Sequence, residues 1–435
     1  MLIIVILCIA SCVVLDISLF WGFLAAIIIL TATIKNKKTA FRTAVEGVKT
    51  CRSLYFIILL LGANISIWMS SGIIPTTIYY GFDKIAGVNF LAFAFICTGL
   101  LSTVMGTGLG TLSTVGLALF GIGKGFGLPA PILLGAIVSG AFISDKISPV
   151  SALTNLTIEV TGIDYKRYFK AAIGPLLITG LITGILYYII GSTMVTTVDT
   201  AILGSYQETL LANYKITPLL FLIPAAIIIM ALSGINVLKN MLAIFATGSL
   251  ITLFYQNISI NLWFKAVIFG YKANTGQPFI DSILKAGGIL PMIEVLLIVT
   301  AAIVLNGLLT HQKTMEPIFD RILANTTSKT SLVFKTGIIS MFLTSITCDQ
   351  TIGIVVPGSI LKQKYDDMNL KHEVLARTIS DTGTIIAPLE FWNVNSLIIL
   401  GITGISALQY APYAILCYLS PIITILYTSI RARKE

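Results

Sequence analysis

The sequence predicts an all-α, polytopic membrane protein built of two halves that follow one plan. Three observations carry that prediction. Of 435 residues, 56% are hydrophobic and only 11% are charged, whereas soluble domains carry about 25% charged residues. Apolar runs recur along the chain near 2–34, 53–70, 87–104, 129–143, 171–190, 216–232, 236–255, 289–309, 332–347 and 410–428. A helical span needs about 20 such residues, so roughly 10 to 13 spans, plus partial ones, are expected. Finally, a polar phrase interrupts this apolar background twice. Ile143-Ser144-Asp145, with Ser148, Pro149 and Asn155, returns 236 residues later as Ile379-Ser380-Asp381, with Thr384, Pro388 and Asn393.

The first run reads as two short helices turning at Asp16. Ile9-Ala10-Ser11-Cys12 is similar to a lipoprotein cleavage box, but no Lys or Arg precedes it. A secretory n-region needs such a charge, so 2–15 is expected to be a retained helix. The next loop crowds Lys35, Lys37, Lys38, Arg42, Lys49 and Arg52, and the tail carries Arg431, Arg433 and Lys434. Between 191 and 214 the only charges are Asp199 and Glu208. By the positive-inside rule the 35–52 loop and the C-terminus are cytoplasmic. Strict alternation then puts Lys166, Arg167 and Lys170 outside, which argues for a re-entrant segment.

In the first half a glycine-rich break, Met105-Gly106-Thr107-Gly108-Leu109-Gly110-Thr111, leads to a short apolar piece, Pro129 and the Ser144–Asn155 interruption. The second half runs through Thr344-Ser345-Ile346-Thr347-Cys348-Asp349-Gln350-Thr351, a short apolar piece and the interruption near 380–395. A polar turn between two apolar pieces too short to span reads as a re-entrant hairpin. A Ser/Thr/Gly/Pro gap within a span reads as a helix broken at mid-membrane. Such backbone survives at that depth only inside protein or beside a wet cavity, where freed N–H and C=O groups and half-helix dipoles can bind ions. The boundaries follow: a first repeat over 1–255, with scaffold helices, a hairpin near 102–127 and a broken helix near 129–160; a connector over 256–288; and a second repeat over 289–435, with a hairpin near 344–361 and a broken helix near 374–405. The connector mixes Trp263, Phe264, Tyr271 and Phe279 with four charges, as an interfacial segment does.

Several function classes are excluded. The net charge of +9 resides in loops and tail, so no nucleic-acid partner is expected. Six scattered cysteines form no Cys-x-x-Cys pair, and two loop histidines offer no metal site or proton relay. No Walker A motif is present, and Gly106-x-Gly108-x-Gly110 lacks the strand a dinucleotide fingerprint needs. No enzyme activity and no cofactor are expected.

Ionisable groups inside a membrane are expensive and by default functional. Asp145 and Asp381 are therefore the leading candidates. With oxygens from Ser144, Ser148, Thr154, Asn155, Thr382, Thr384 and Asn393 they would form an oxygen-only site suited to a hard cation such as Na⁺. In low dielectric, protonation and cation binding become competing ways to neutralise one carboxylate, which is enough for exchange. The structural alternative is that each Asp pins a kink, Asp145 through Lys146. Asp349 is either a further acid of the site or a helix cap. Glu390 is either a third acid or an interfacial residue beside Trp392. Glu373 and Arg377, four apart, read as a surface pair.

These residues carry a family resemblance. Ser139-Gly140-Ala141-Phe142, then Asp145-Lys146-Ile147-Ser148-Pro149 and Thr154-Asn155-Leu156, resemble the Gly-Asp-Lys-x-Ser-Pro-x-Ser-Asp-Thr-Thr-Asn-Leu signature of the NhaC-type sodium/proton antiporter family. Thr344-Ser345, Asp349-Gln350, Val355-Val356-Pro357-Gly358, Leu375-Ala376-Arg377-Thr378, Asp381-Thr382-Gly383-Thr384, Trp392-Asn393 and Tyr410-Ala411-Pro412-Tyr413 follow in the family's order. The resemblance spans roughly 100–430. It implies an elevator-type fold of the ion transporter superfamily: two inverted repeats, a scaffold that usually dimerises, and a bacterial cytoplasmic membrane location. It also implies Na⁺ (or Li⁺) for H⁺ as the activity, with membrane lipid, Na⁺ and H⁺ as partners. Asp145, Ser148, Asn155, Asp349, Asp381, Thr384 and Asn393 fall on motif positions. Two departures stand out: Ala152 replaces an acid, and Glu390-Phe391 precedes the Trp-Asn pair in place of proline. They motivate the alternative of an ion-coupled carrier of an amino acid or carboxylate.

Overall fold

The computed structural model describes residues 7–9, 11, 12, 15, 17–34, 37–84, 88–194, 200–233, 235, 237–311, 322, 323 and 326–432. The expected helix over 2–15, the turn at Asp16, Asp199 and the basic tail lie wholly or partly outside these residues. The first helices are α1 (Leu19–Thr33), α2 (Lys37–Thr50), α3 (Arg52–Ser70), α4 (Ile73–Lys84) and α5 (Phe90–Met105). Next come α6 (108–125, π-helical over Leu112–Gly116), α7 (Ala130–Ala141), α8 (Ile143–Ile147), α9 (Ala152–Thr161) and α10 (Tyr165–Thr193). The middle comprises α11 (Thr200–Asn213), α12 (Leu222–Leu232), α13 (Val237–Leu250), α14 (Ile260–Phe269), α15 (Pro278–Ile283) and α16 (Ile289–His311). The chain closes with α17 (Lys329–Thr347), α18 (Gln350–Ile360), α19 (Lys362–Asp367), α20 (His372–Ile379), α21 (Val394–Thr403), α22 (Ala407–Tyr410) and α23 (Ile415–Ala432).

Helix α10 shows how this sequence meets lipid. Leu177, Leu181, Ile185 and Ile189, spaced by four, are exposed, while Thr179, Thr183 and Tyr187 are buried. The apolar stripe thus points outward and the hydroxyls inward, the reverse of a soluble amphipathic helix. At 29 residues it is about 43 Å long, enough to cross a hydrocarbon core of about 30 Å. Among the described residues, six helices are long and apolar enough to cross a membrane, or up to nine if each bent pair is one span. One of the runs counted in the sequence, Phe90–Met105, ends at a polar break before it reaches spanning length, and Gln350–Ile360 is a short piece, as expected of it. The chain is a multi-pass membrane protein.

The interior is assembled through small residues. A Cβ on Gly140 would stand 2.0 Å from Thr98 Oγ1 and 2.5 Å from Phe95 O, so α5 and α7 touch backbone to backbone. Ser102 Oγ donates to Gly140 O at 3.0 Å across the same contact. Close approach through Gly, Ser and Thr is how helices associate where lipid competes with every aliphatic side chain. Helices α17 and α18 repeat the device, with Ser340 Oγ donating to Gly353 O at 2.6 Å.

Between the halves, the 256–288 stretch forms α14, α15 and a two-stranded antiparallel ribbon that pairs Tyr271 with Ala286. It is tied to α3 where Gly288 N donates to Gly62 O at 2.7 Å.

Candidate functional site

Two kinds of break position the polar groups. After α5, Gly106 adopts φ 73° and Thr107 caps α6, its hydroxyl accepting from Gly110 N. After α17, Cys348 adopts φ 58° and Asp349 caps α18, its carboxylate accepting from Thr351 N. After α8, Ser151 caps α9; after the turn at Ala387–Leu389, Asn393 caps α21. Pro149 and Pro388, next to these gaps, cannot donate to a helical ladder.

These breaks share one register of 242 residues. Helices α5 and α17 end at Met105 and Thr347; the left-handed residues are Gly106 and Cys348; α9 and α21 cover Ala152–Thr161 and Val394–Thr403; Gly162 and Gly404 terminate them. The repeated Ile-Ser-Asp letters, 236 apart, are therefore not equivalent positions. Asp145 lies on α8 next to its break, whereas Asp381 lies in a π-helical turn, Ser380–Thr384, more than two turns before Asn393. By the backbone, Asp145 matches Ala387 and Asp381 matches Ser139.

The carboxylates accordingly have separate partners. Asp145 is buried, and its Oδ1 accepts from Gly108 N and Ser144 Oγ, both at 3.2 Å. Its Oδ2 takes no hydrogen bond among the described residues. Asp381 is fully buried and ion-paired with Lys146, which also donates to Ser420 Oγ at 3.2 Å. The sequence reading that paired Asp145 with Lys146 is corrected here: Lys146 reaches the other half. Tyr168 strengthens that bridge, its hydroxyl lying against both Lys146 O and Ser380 Oγ. Glu390 is buried within the protein beside Trp392: it accepts from Ser345 Oγ and, at 3.0 Å, from Asn393 Nδ2. Trp392 Nε1 donates to Ser345 O at 2.7 Å, closing the same corner.

The remaining candidates divide. Ser148 Oγ donates to Thr103 O at 2.6 Å, and Thr154 Oγ1 to Asp145 O at 3.2 Å, so both hold the break in shape. Thr382 donates to Thr378 O within its own helix, while Thr384 Oγ1 is buried without a partner among the described residues. Asn155 is exposed and donates to Pro149 O and Ser151 O, away from the acids. Asp349 is exposed in its capping role. Glu373 pairs with Arg167 at 2.8 Å, and Arg377 is buried against Thr428 and Tyr427; the expected surface pair of these two does not form. Among the described residues no group of three His, Cys, Asp or Glu could hold a metal ion.

A cavity of about 480 Å³ joins the pieces. Thr107, Asp145, Ser151, Gln350 and Asn395 are among the residues that line it, as are Asn64, Trp68 and Asn240. Gln350 Nε2 donates to Thr384 O at 2.6 Å and its Oε1 accepts from Asn395 Nδ2 at 3.0 Å, linking the second hairpin tip to the second break. Sequence reasoning did not single out Asn64, Asn240 or Asn395 as site residues. Lone amides inside the apolar runs 53–70 and 236–255 were the available signal.

A family model described as the Na+/H+ antiporter family matches residues 140–430. The Na(+)/H(+) antiporter NhaC of Alkalihalophilus pseudofirmus is 28% identical over 394 residues, 90% of this chain and 85% of that protein. The Na(+)/H(+) antiporter NhaC of Bacillus subtilis is 28% identical over 393 residues, 89% of this chain and 86% of that protein. The Malate-2H(+)/Na(+)-lactate antiporter of Bacillus subtilis is 27% identical over 385 residues, 88% of this chain and 82% of that protein.

Proposed function

The chain belongs to the Na+/H+ antiporter family, and from that premise we propose that it exchanges Na⁺, or Li⁺, for H⁺ across the bacterial cytoplasmic membrane with Asp145 as the acid that binds either ion. One observation carries this reading: Asp145 is the sole ionisable residue lining the cavity among the described residues. With Oδ1 held by Gly108 N–H and Ser144, Oδ2 is left for a cation or a proton. Asp381 is the second site acid, paired with Lys146 in this conformation. The common register of the two sets of breaks supports a division into two repeats, over 1–255 and 289–435, related by inversion in the manner of elevator transporters and assembling as a homodimer. A membrane potential contributes about 2.3 kcal/mol per charge per 100 mV, so unequal stoichiometry would let voltage drive extrusion.

In everted vesicles carrying a pH-sensitive dye, Na⁺ addition to the wild type is expected to shift the lumenal pH. Asp145→Asn is expected to abolish the response while the protein still inserts. Full exchange by that variant would refute the assignment.

A second reading has one observation in its favour: about 480 Å³ is in the range of small-molecule sites, about 300–1,000 Å³, and exceeds what a bare ion needs. The relative named as a malate and lactate antiporter suggests an organic acid coupled to Na⁺ or H⁺. Gradient-dependent uptake of labelled carboxylates or amino acids, with no pH response to Na⁺ alone, would favour it.

A further inference from the structure

Two buried amides share the cavity with Asp145 yet belong to helices away from both breaks. Asn64 on α3 and Asn240 on α13 line it and are only 7% and 8% exposed. Asn64 Nδ2 donates to Met241 O at 3.1 Å, and Asn240 Nδ2 to Ile227 O at 3.4 Å. Each amide is thereby anchored through its nitrogen. Each Oδ1 is buried and has no hydrogen-bond partner among the described residues. Buried polar atoms in folded proteins are nearly always paired, and an exception calls for an occupant or a function.

The rest of the lining restricts that occupant. It is mostly aliphatic, Ile57, Leu61, Ile65 and Ile244 included, and among the described residues it contains no Lys, Arg or His. A carboxylate with one free oxygen and two amide oxygens offer acceptors and negative charge without a compensating cation. An anion without a cation beside it would meet repulsion there, and a neutral apolar molecule would leave the oxygens unmet. The volume accommodates an alkali ion with part of its water shell, at about 30 Å³ per water, or a small alkylammonium.

We propose that Asn64 and Asn240 bind a monovalent cation in this cavity together with Asp145, a proposal that rests on Asp145 being the transport acid. The cation is then held from two sides, by amide oxygens on α3 and α13 and by an acid beside the first break. Movement of the break relative to those helices changes how many oxygens the cation has, which couples binding to access. Asn64 and Asn240 would set cation affinity, while Asp145 carries the exchangeable charge.

The test is cation binding by the purified full-length chain, read as a shift in melting temperature, with N-methyl-D-glucamine chloride, whose cation is bulky and polyhydroxylated, holding ionic strength constant. NaCl and propylammonium chloride are titrated separately. The wild type is expected to be stabilised by at least one of them. Asn64→Leu and Asn240→Leu are each expected to raise the apparent Kd for that cation fivefold or more. Asn64→Asp and Asn240→Asp, which keep the size and add charge, are expected to lower it at least threefold, and they decide the matter should the leucine variants not fold. Stabilisation by propylammonium but not Na⁺ would support the amide subsite while removing Na⁺ exchange, so the two readings fail separately. The proposal is overturned if neither cation stabilises the wild type, if the leucine variants titrate like it, or if the aspartate variants bind no better.

Discussion

Lys146 and Asp381 form a neutral couple with no solvent at either side chain. Removing one partner of such a pair strands a buried charge and typically costs about 3–5 kcal/mol, whereas replacing both with apolar groups is often close to neutral. Lys146→Met and Asp381→Leu are therefore each expected to lower stability by about that amount, with the double variant recovering most of it; denaturation in detergent micelles checks the cycle. If the single losses simply add, the pair is not coupled. The acids at 145, 381 and 390 were legible in the sequence because carboxylates in apolar runs are conspicuous. Their partners were not. Neighbours in sequence suggested Asp145 with Lys146, but consecutive residues on a helix point about 100° apart, which sends Lys146 across to the second half. Asp349 and Asn155 illustrate the converse, since polar residues at a break are as often needed to cap backbone as to bind a ligand.

The breaks are elements in their own right, each made of a left-handed residue or a proline followed by a capping side chain. Gly106 carries φ 73°, and a Cβ there would lie 2.9 Å from Val150 Cβ. Gly106→Ala is expected to cost about 1–2 kcal/mol from the left-handed conformation alone, more with the clash, seen as a lower melting temperature in detergent. Gly140→Val should be worse for folding than for chemistry: its side chain has to enter the backbone contact between α5 and α7, where overpacking typically costs about 1–3 kcal/mol. Reduced yield with exchange retained per folded molecule is the expected outcome. The places where α5, α8 and α17 stop and where α21 starts were legible from composition, since Gly, Pro, Ser and Thr crowd where helices stop. The correspondence between the second pair of breaks was not. Letter matching favours Ser-Asp against Ser-Asp, but the backbone aligns cap with cap, and only Ser151 with Asn393 satisfies that rule.

At the scale of the whole molecule, lipid and water select the orientation. Lys37, Lys38 and Arg42 are exposed on α2, and a basic segment of this kind stays on the cytoplasmic side. A single cysteine at Lys38 in a cysteine-free background should react with a membrane-impermeant maleimide in inside-out vesicles and not in right-side-out ones; the opposite labelling would invert the topology. Membrane residence was legible from hydropathy because nothing else explains so few charges, while the number of spans was not, since a window average cannot tell a crossing from two half-helices meeting at a polar gap. The shared spacing of the breaks has an evolutionary corollary. From Met105 to the cap at Asp164, and from Thr347 to the cap at Ser406, the residue types differ while the chain length is the same. Inserting or deleting one residue there would turn everything beyond it by about 100° on a helix, so insertions and deletions in descendants of this chain are expected to accumulate only outside those two stretches.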